Sequence, residues 1–244
     1  MTTAVDVLCR GFPGKADVGF LGWASVAIIR TEQVNVLFDT GAQGARPVLL
    51  QNMRKLGVDP SEIDVVVLSH LHFDHTGNVA LFRNARFVIS RTEWYYAMGN
   101  DQDVCVDKGA MELLVAGKVD LVPDDDTEIE PGLKVILTPG HTPGCVSLVV
   151  DKEREAWILT GDAVKNRAEL ATASGPMTLD PAATARSINR VKSIASRVLP
   201  GHDCWLRLTD DGIVAEEGLS VRINLPKGMD GVFDLVIEPG LYCS

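Results

Sequence analysis

Long apolar runs are absent from this chain of 244 residues. No segment reaches the roughly 18 to 20 consecutive apolar residues that a membrane-spanning helix needs. The amino-terminal stretch MTTAVDVLCRGFPGKADVGF meets an aspartate, an arginine and a proline before any apolar run reaches the length of a signal peptide. We therefore expect a cytoplasmic protein without a membrane partner.

Clusters of basic residues are also absent. The chain has 23 lysines and arginines against 33 aspartates and glutamates, which gives a formal net charge of -10. A field of this sign repels the phosphate backbones of DNA and RNA. We therefore expect a small-molecule partner rather than a nucleic acid.

Paired cysteines are absent as well. The five cysteines are odd in number, widely spaced and in no CxxC motif: Cys9, Cys105, Cys145, Cys204 and Cys243. In a reducing cytosol we interpret them as free thiols that mostly serve packing. Cys204 follows His202 by two positions, so a role as a metal ligand is the less favoured alternative for this one residue.

Alternating strand-like and helix-like segments predict an α/β protein. Hydrophobic residues make up 46% of a length that suits one domain, so we expect a single domain over residues 1–244. The predicted strands are 25–30, 34–39, 65–69, 87–90, 133–138, 146–151, 156–160, 198–200, 219–224 and 231–240. The predicted helices are 46–57, 91–100, 108–118 and 180–197. Residues 206–244 are expected to form a carboxy-terminal, strand-containing tail.

The five histidines all stand in loop-like contexts directly after apolar stretches. Three of them, His70, His72 and His75, surround Asp74 in the segment VVVLSHLHFDHTGN. Without a cation, ligands packed this closely at a strand end would repel one another and be costly to desolvate. The cluster therefore predicts a metal site.

The spacing within the cluster favours two metal ions over one. His70 and His72 are two residues apart, so on extended backbone they point the same way. Asp74 and His75 come after the chain turns and can face a second centre. Imidazole and carboxylate donors without a clear thiolate suit Zn(II), and they also tolerate Mn(II) or Fe(II).

Three further candidate ligands lie far along the chain, each next to a glycine. His141 stands in TPGHTPG, Asp162 in LTGDA and His202 in LPGHD. Ligand sites of layered α/β proteins collect beyond the ends of strands, so distant loops of this kind can face one crevice.

The motifs SHLHFDH, TPGHTPG, TGDA and LPGHD, together with the earlier LFDTG, resemble the five ordered motifs of the metallo-β-lactamase superfamily. The resemblance covers about residues 25 to 203 and implies a four-layer αββα sandwich with a dinuclear site at one edge. It implies that one metal is held by His70, His72 and His141 and the second by Asp74, His75 and His202. It further implies that Asp162 bridges the metals and that Asp39 supports the site from nearby.

A dinuclear site of this kind predicts hydrolysis. Two divalent cations lower the pKa of a shared water, and the resulting hydroxide can attack an ester or a lactone. One cation also polarises the substrate oxygen. Asp74 is the candidate for proton transfer to the leaving group.

Several stretches are similar to the N-acyl-homoserine lactonase-like group of the superfamily, among them SHLHFDHTGN, RTEWYYA and TGDAVKNRAEL. That group places a tyrosine three residues after the bridging aspartate, whereas this chain has Lys165. Lys165 is therefore the second candidate catalytic residue, which would polarise an oxygen or pair with a substrate carboxylate. The alternative is a solvated surface charge.

Other interpretations remain open on the sequence alone. A phosphodiesterase or nuclease of the same fold, an iron-dependent sulfur-oxidising relative and a non-catalytic binding module are the alternative functions. The aromatic residues Trp94, Tyr95, Tyr96 and Trp205 either line a pocket over the metals or pack in the core or at a dimer contact. Phe73 is expected to be a packing residue, and a homodimer is a further possibility.

Overall fold

A hairpin of β4 (Val26–Arg30) and β5 (Asn35–Phe38), as predicted from the sequence, lies inside a six-stranded sheet in the computed structural model. The structure describes residues 3–17, 19–152, 155–229 and 231–242. The other strands of this first sheet are β1 (Ala4–Cys9), β6 (Val65–Val67), β7 (Arg86–Ser90) and β8 (Lys118–Val122), in the order β1-β4-β5-β6-β7-β8. Strands β5 to β8 run parallel, which brings the carboxyl ends of β5 and β6 to the same edge.

The second sheet has eight strands. They are β9 (Thr127–Glu130), β10 (Leu133–Leu137), β11 (Val146–Lys152), β12 (Glu155–Gly161), β13 (Arg197–Pro200), β14 (Leu206–Thr209), β15 (Gly212–Ala215) and β18 (Leu241–Tyr242). Strands β12 and β13 pair in parallel, so their carboxyl ends also share an edge. Two separate hairpins join β2 (Lys15–Ala16) to β3 (Gly19–Phe20) and β16 (Leu219–Asn224) to β17 (Val232–Ile237).

Six α-helices are present in the described part of the chain. They are α1 (Arg46–Lys55), α2 (Phe73–Thr76), α3 (Arg91–Gly99), α4 (Lys108–Val115), α5 (Arg167–Thr172) and α6 (Pro181–Ile194). Helix α6 begins as the sequence predicts, because the Asp180 side chain accepts a hydrogen bond from the backbone of Ala183. None of the helices in these residues is long and apolar enough to cross a membrane.

The side chains of β4 show how the layers are held together. Ala27 and Ile29 enter a core between the two sheets, together with Leu148 of β11, whereas Ile28 between them faces the opposite way. This is the period of two expected for a strand that is covered on both faces. Ile28 packs in a second core that includes Leu49 of α1.

The outer face of the second sheet is covered in the same way. Ile158 of β12 packs in a third core with Leu170 of α5 and Ile188 of α6. Two sheets therefore lie face to face with helices on both outer sides, and the predicted four-layer αββα sandwich is confirmed.

The prediction of a helix over 108–118 is wrong at its end. Helix α4 stops at Val115, and Lys118 already begins β8. The backbone N–H of Gly117 donates to the carbonyl of Leu114 and closes the last turn, after which Val119 pairs with β7. Strands β1, β8, β9, β14 and β15 and helix α5 were not predicted, because these segments are short or carry charges on their exposed positions.

Candidate metal centre

The candidate ligands lie beyond the carboxyl ends of strands from both sheets. His70 follows β6, Asp162 follows β12 and His202 follows β13, while His141 lies in the loop between β10 and β11. Three groups of side chains each bring their ligand atoms within 4.8 Å of one another. The groups are His70, His72 and His141; then His70, His75 and Asp162; and then Asp74, His75 and His202.

Asp162 stands between the two outer groups and offers one carboxylate oxygen to each. Its Oδ2 lies 3.3 Å from Nε2 of His141. Its Oδ1 lies 3.2 Å from Nε2 of His75 and 3.1 Å from Nε2 of His202. This is the arrangement expected of a carboxylate that bridges two cations. Asp74 lies at the second group, with its Oδ2 3.5 Å from Nε2 of His202.

Each imidazole is oriented by a polar partner on the nitrogen that faces away from the centre, as is usual for metal-ligating histidines. The pairs are His70 Nδ1 with Ser69 Oγ (3.0 Å), His72 Nε2 with Asp103 Oδ2 (3.1 Å), His75 Nδ1 with Asp39 Oδ2 (2.7 Å), His141 Nδ1 with the Met177 carbonyl (2.9 Å) and His202 Nδ1 with the Trp23 carbonyl (3.0 Å). The inward nitrogens thus face one shared centre, where Nδ1 of His72 and Nε2 of His141 lie 3.1 Å apart. His72 presents Nδ1, and the other four present Nε2.

Asp39 supports the site as the resemblance implies. Its Oδ2 accepts hydrogen bonds from His75 and from the Ser69 hydroxyl, and its Oδ1 accepts the Ser69 backbone N–H. Its backbone has a φ of 58°, a left-handed conformation that is uncommon for a residue other than glycine. Local strain of this kind is retained where the surroundings fix it, which here are the contacts to the histidine loop.

Three buried polar atoms at the centre make no aligned hydrogen bond, namely Nε2 of His70, Nε2 of His75 and Oδ1 of Asp162, although the last two lie 3.2 Å apart. Buried polar atoms without a partner are rare and costly in proteins. A cation between these atoms satisfies them, because imidazole nitrogens and carboxylate oxygens are the donors that divalent metals such as Zn(II) accept. The residues present therefore fit divalent cations.

Charge and burial set the protonation of the ligands differently in the two halves of the site. Burial lowers the pKa of His70 well below its ordinary value and that of His141 to about 4, so both are neutral bases at pH 7. Burial also acts against protonation of His75, but Asp74, Asp39 and Asp162 overcome it and raise the pKa of His75 well above its ordinary value. Loading this second half with metal therefore displaces protons.

Asp103 is a residue of the candidate site that the sequence analysis missed. Besides the His72 ring, its carboxylate accepts hydrogen bonds from the Tyr96 hydroxyl (2.7 Å) and from the backbone of Cys105 (3.0 Å). It lies in the loop after α3, outside every motif. The only indication in the sequence is that Asp103 carries a carboxylate, because its contact with His72 joins residues 31 positions apart.

We expect Asp103→Ala to weaken zinc binding about 10- to 100-fold, the usual effect of removing a partner that orients a ligating histidine. The measurement is competition with a chromogenic chelator at constant pH. Tyr96→Phe is the matched control, since it removes a donor to Asp103 but leaves the carboxylate on His72, and we expect a smaller loss. A zinc affinity of Asp103→Ala within twofold of wild type would refute this role.

Glu93 is a second missed residue, and it joins the two ligand loops. It is fully buried, and its carboxylate accepts hydrogen bonds from the backbone of Leu71 (3.1 Å), the hydroxyl of Thr142 (2.7 Å) and the backbone of Gly144 (3.2 Å). A Cβ at Gly144 would collide with the backbone of Glu93. The His70–His72 segment and the His141 loop are therefore fixed against the same carboxylate.

Burial raises the pKa of Glu93 to about 7. Because the folded state holds this proton more tightly than the unfolded chain, the contribution of Glu93 to stability is complete below about pH 4.5 and is lost as the pH rises through 7. Between pH 4.5 and 8 we expect the free energy of unfolding of the metal-free protein to fall by about 3 kcal/mol more than that of metal-free Glu93→Gln. Urea denaturation of both proteins from pH 4.5 to 8 tests this; parallel pH curves would contradict it.

Lys165 is not the solvated surface charge of the alternative interpretation. Its side chain is only 12% exposed, and its Nζ lies 3.2 Å from Oε1 of Glu169. Lys165 and Glu169 line a pocket of about 250 Å³ together with Asp74, His141 and Asp162. The lysine is thus placed on the wall of the cavity that the candidate ligands share.

The four aromatic residues considered from the sequence do not line this pocket. Trp94 and Tyr96 pack against the core beneath the first sheet, Tyr95 is 64% exposed, and Trp205 is buried between the sheets. Other apolar side chains line it instead, namely Phe12, Phe20, Phe73 and Met177. Phe73, expected to be a packing residue, packs against Phe20 with ring centroids 6.0 Å apart, but it is 39% exposed and lines the pocket.

The cysteines are free thiols as predicted, within the residues that the structure describes; Cys243 lies outside them. The less favoured assignment of Cys204 as a metal ligand is wrong. Its Sγ lies 3.3 Å from a guanidinium nitrogen of Arg167 and donates to the carbonyl of Glu217 (3.1 Å). It belongs to none of the three ligand groups.

Comparisons with known proteins agree with this geometry. The family described as the Metallo-beta-lactamase superfamily matches residues 22–202. The chain is 28% identical over 220 residues to Metallo-beta-lactamase domain-containing protein 1 of Xenopus laevis, covering 88% of this chain and 85% of that protein. It is also 28% identical over 158 residues to an N-acyl homoserine lactonase of Bacillus thuringiensis, which covers 62% of this chain and only 60% of the lactonase.

The fold has counterparts among solved structures. An N-acyl homoserine lactone hydrolase, with the product N-hexanoyl-L-homoserine bound at its catalytic metal centre, superposes with a TM-score of 0.65 at 22% identity, over 82% of this chain and 92% of that one. The family match covers most of the chain, including every candidate ligand, and the αββα layers are those of this fold. The chain is therefore a hydrolase that belongs to the metallo-β-lactamase superfamily.

Proposed function

We propose that the chain is a dinuclear metal-dependent hydrolase that opens a small ester or lactone. The observation that carries this proposal is the placement of Asp162, whose two oxygens face two separate groups of histidines. A structural metal site needs only one closed set of four ligands. Seven candidate ligands with a carboxylate between two halves favour a pair of catalytic cations.

In this proposal His70, His72 and His141 hold one cation, and Asp74, His75 and His202 hold the second. Asp162 joins the two. Zinc is the expected metal because the candidate donors are imidazole nitrogens and carboxylate oxygens, although Mn(II) or Fe(II) also accepts them. When bound, the cations supply a water acidified toward neutrality and an electrophile for the substrate oxygen.

The residues of the chain carry out the remaining work. Asp74 is partly exposed on the pocket wall and lies where a proton can pass to the leaving alkoxide. Lys165 lines the same pocket, and its ammonium is the candidate donor of a hydrogen bond to a substrate oxygen. Phe12, Phe20 and Phe73 exclude water around an apolar acyl group.

The lactone is favoured over other acyl compounds by the similar proteins, two of which act on N-acyl homoserine lactones by name. The apolar lining of the pocket suits an acyl chain better than a nucleic-acid backbone. The net charge of -10 also acts against a polyanionic substrate.

A hydrolysis screen on zinc-loaded protein tests the proposal. The substrates are unbranched lactones, aryl esters, thioesters and bis-p-nitrophenyl phosphate, each at the same metal content. We expect the highest kcat/KM on a lactone or ester. Turnover of the phosphodiester alone would replace the proposed function by a phosphodiesterase, and oxygen consumption by an iron-loaded preparation would replace it by a redox enzyme.

A further inference from the structure

A buried ion pair forms part of the pocket wall next to the candidate ligands. The side chain of Lys165 is 12% exposed and that of Glu169 only 3%. Their charged atoms, Nζ and Oε1, lie 3.2 Å apart, yet neither makes an aligned hydrogen bond. The charge of the ammonium is thus balanced by Glu169, and Nζ lies within the pocket wall without an aligned acceptor.

Glu169 is held in place by contacts other than its ion pair. Its Oε2 accepts a hydrogen bond from the backbone N–H of Lys165 (2.9 Å). Gly175 packs so closely that a Cβ there would collide with the Glu169 carboxylate. The carboxylate is therefore a fixed negative charge beside the lysine, one turn away on α5.

The backbone of Lys165 is joined to the loop that carries a candidate ligand. The carbonyl of Lys165 accepts from the backbone N–H of His202 (2.7 Å), and the carbonyl of Val164 accepts from Gly201 (3.0 Å). This fixes the start of the lysine side chain relative to the metal centre. Lys165, Glu169 and Asp162 all line the same pocket of about 250 Å³.

We propose that Glu169 is a positioning residue that determines substrate specificity. Because its negative charge offsets the positive charge of Lys165, this part of the pocket favours an uncharged carbonyl group over a carboxylate or a phosphate. A lone ammonium in a partly desolvated pocket would attract anions strongly. The ion pair removes that attraction and keeps a hydrogen-bond donor for a neutral oxygen. The inference rests on the proposed function, and it names the uncharged acyl compounds as the substrate class.

The test is a binding experiment that needs no turnover. Hexanoate and hexanamide have the same chain and differ in charge, and their dissociation constants are measured by titration calorimetry on zinc-loaded protein. Wild type is compared with Glu169→Gln, Lys165→Met and the double variant. Glu112→Gln, an exposed change on α4, is the matched control.

We expect Glu169→Gln to tighten hexanoate binding about tenfold or more, with hexanamide changed by less than about twofold, because glutamine keeps the shape of the side chain without its charge. Lys165→Met is expected to weaken hexanoate about fivefold or more relative to hexanamide, since it leaves Glu169 unpaired. In the double variant the preference should return close to that of wild type. A merely structural role of Glu169 would change both ligands alike.

An unchanged ratio of the two dissociation constants in Glu169→Gln would overturn the inference, as would a shift that persists in the double variant. If Glu169→Gln does not fold, as judged by circular dichroism, the ratio in Lys165→Met decides the question. If the hexanoate shift is found but wild type hydrolyses no lactone or ester, the proposed function fails while the charge assignment stands. If wild type hydrolyses a lactone or ester but the hexanoate shift is not found, the charge assignment alone is refuted.

Discussion

Replacing Asp162 by asparagine is expected to reduce hydrolysis more than the roughly 10- to 100-fold that removal of an outer partner of a metal ligand costs. The amide nitrogen of asparagine cannot act as a ligand, so one half of the site loses the oxygen that Asp162 offers to it. We expect the bound zinc to fall from two ions per chain toward one. Elemental analysis after gel filtration, together with kcat/KM on the best substrate, measures both effects.

Asp101→Asn is the control for this change, because the Asp101 side chain is 92% exposed and pairs with Lys108 on the surface. It should retain two zinc ions and full activity. An Asp162→Asn variant that keeps both zinc ions and the activity of wild type would show that Asp162 is not the bridge between them.

Removal of metal by a chelator is expected to abolish hydrolysis and to destabilise the fold. Each cation that binds only the folded state contributes about 4 kcal/mol at a free concentration of about a thousand times its Kd. For a chain of this size, loss of one such contribution lowers Tm by about 8 °C or more. The physical reason is that the buried ligand atoms of His70, His75 and Asp162 make no aligned hydrogen bond and remain unsatisfied when no cation is bound.

Differential scanning fluorimetry before and after chelation measures this loss, and zinc is then returned to test reversibility. His72→Ala, which removes a ligand of the first group, should show a smaller fall in Tm together with loss of activity. Chelated protein that keeps its Tm and its activity would contradict a metal-dependent function.

The layers of the fold could be predicted largely from hydrophobic periodicity. The hairpin of β4 and β5, the buried strand β6 and the capped helix α6 were all found, because their signals are local. The strands that escaped prediction lie at or near sheet edges, as β1 and β8 do, or carry charges on exposed positions. Their pairing depends on neighbours far along the chain, and a local pattern does not contain that information.

The candidate ligands could be predicted because they stand in short motifs at strand ends, and the structure brings them together. The residues that orient them could not. Asp103 and Glu93 act across contacts of 22 to 51 positions. Asp103 lies outside every motif, and the stretch RTEWYYA does not show that its Glu93 is buried and joins two distant loops. The sequence left open whether the aromatic residues line the pocket or pack in the core, because composition does not tell which side of an element faces a cavity.

Lys165 is the residue whose interpretation the structure changed most. From the sequence it was a departure from the tyrosine of the lactonase-like group, with a solvated charge as the alternative. Its burial against Glu169 removes that alternative and places an ion pair of no net charge on the pocket wall. Because the ion pair depends on Glu169 of α5, this pocket differs from one in which a tyrosine hydroxyl is the hydrogen-bond donor.

Anomalous diffraction at the zinc edge, from crystals of the zinc-loaded protein, tests the central claim most directly. The account predicts two peaks, one among His70, His72 and His141 and the other among Asp74, His75 and His202, with one oxygen of Asp162 directed at each. A single peak, or a second peak that lies away from Asp162, would contradict a dinuclear centre bridged by this carboxylate.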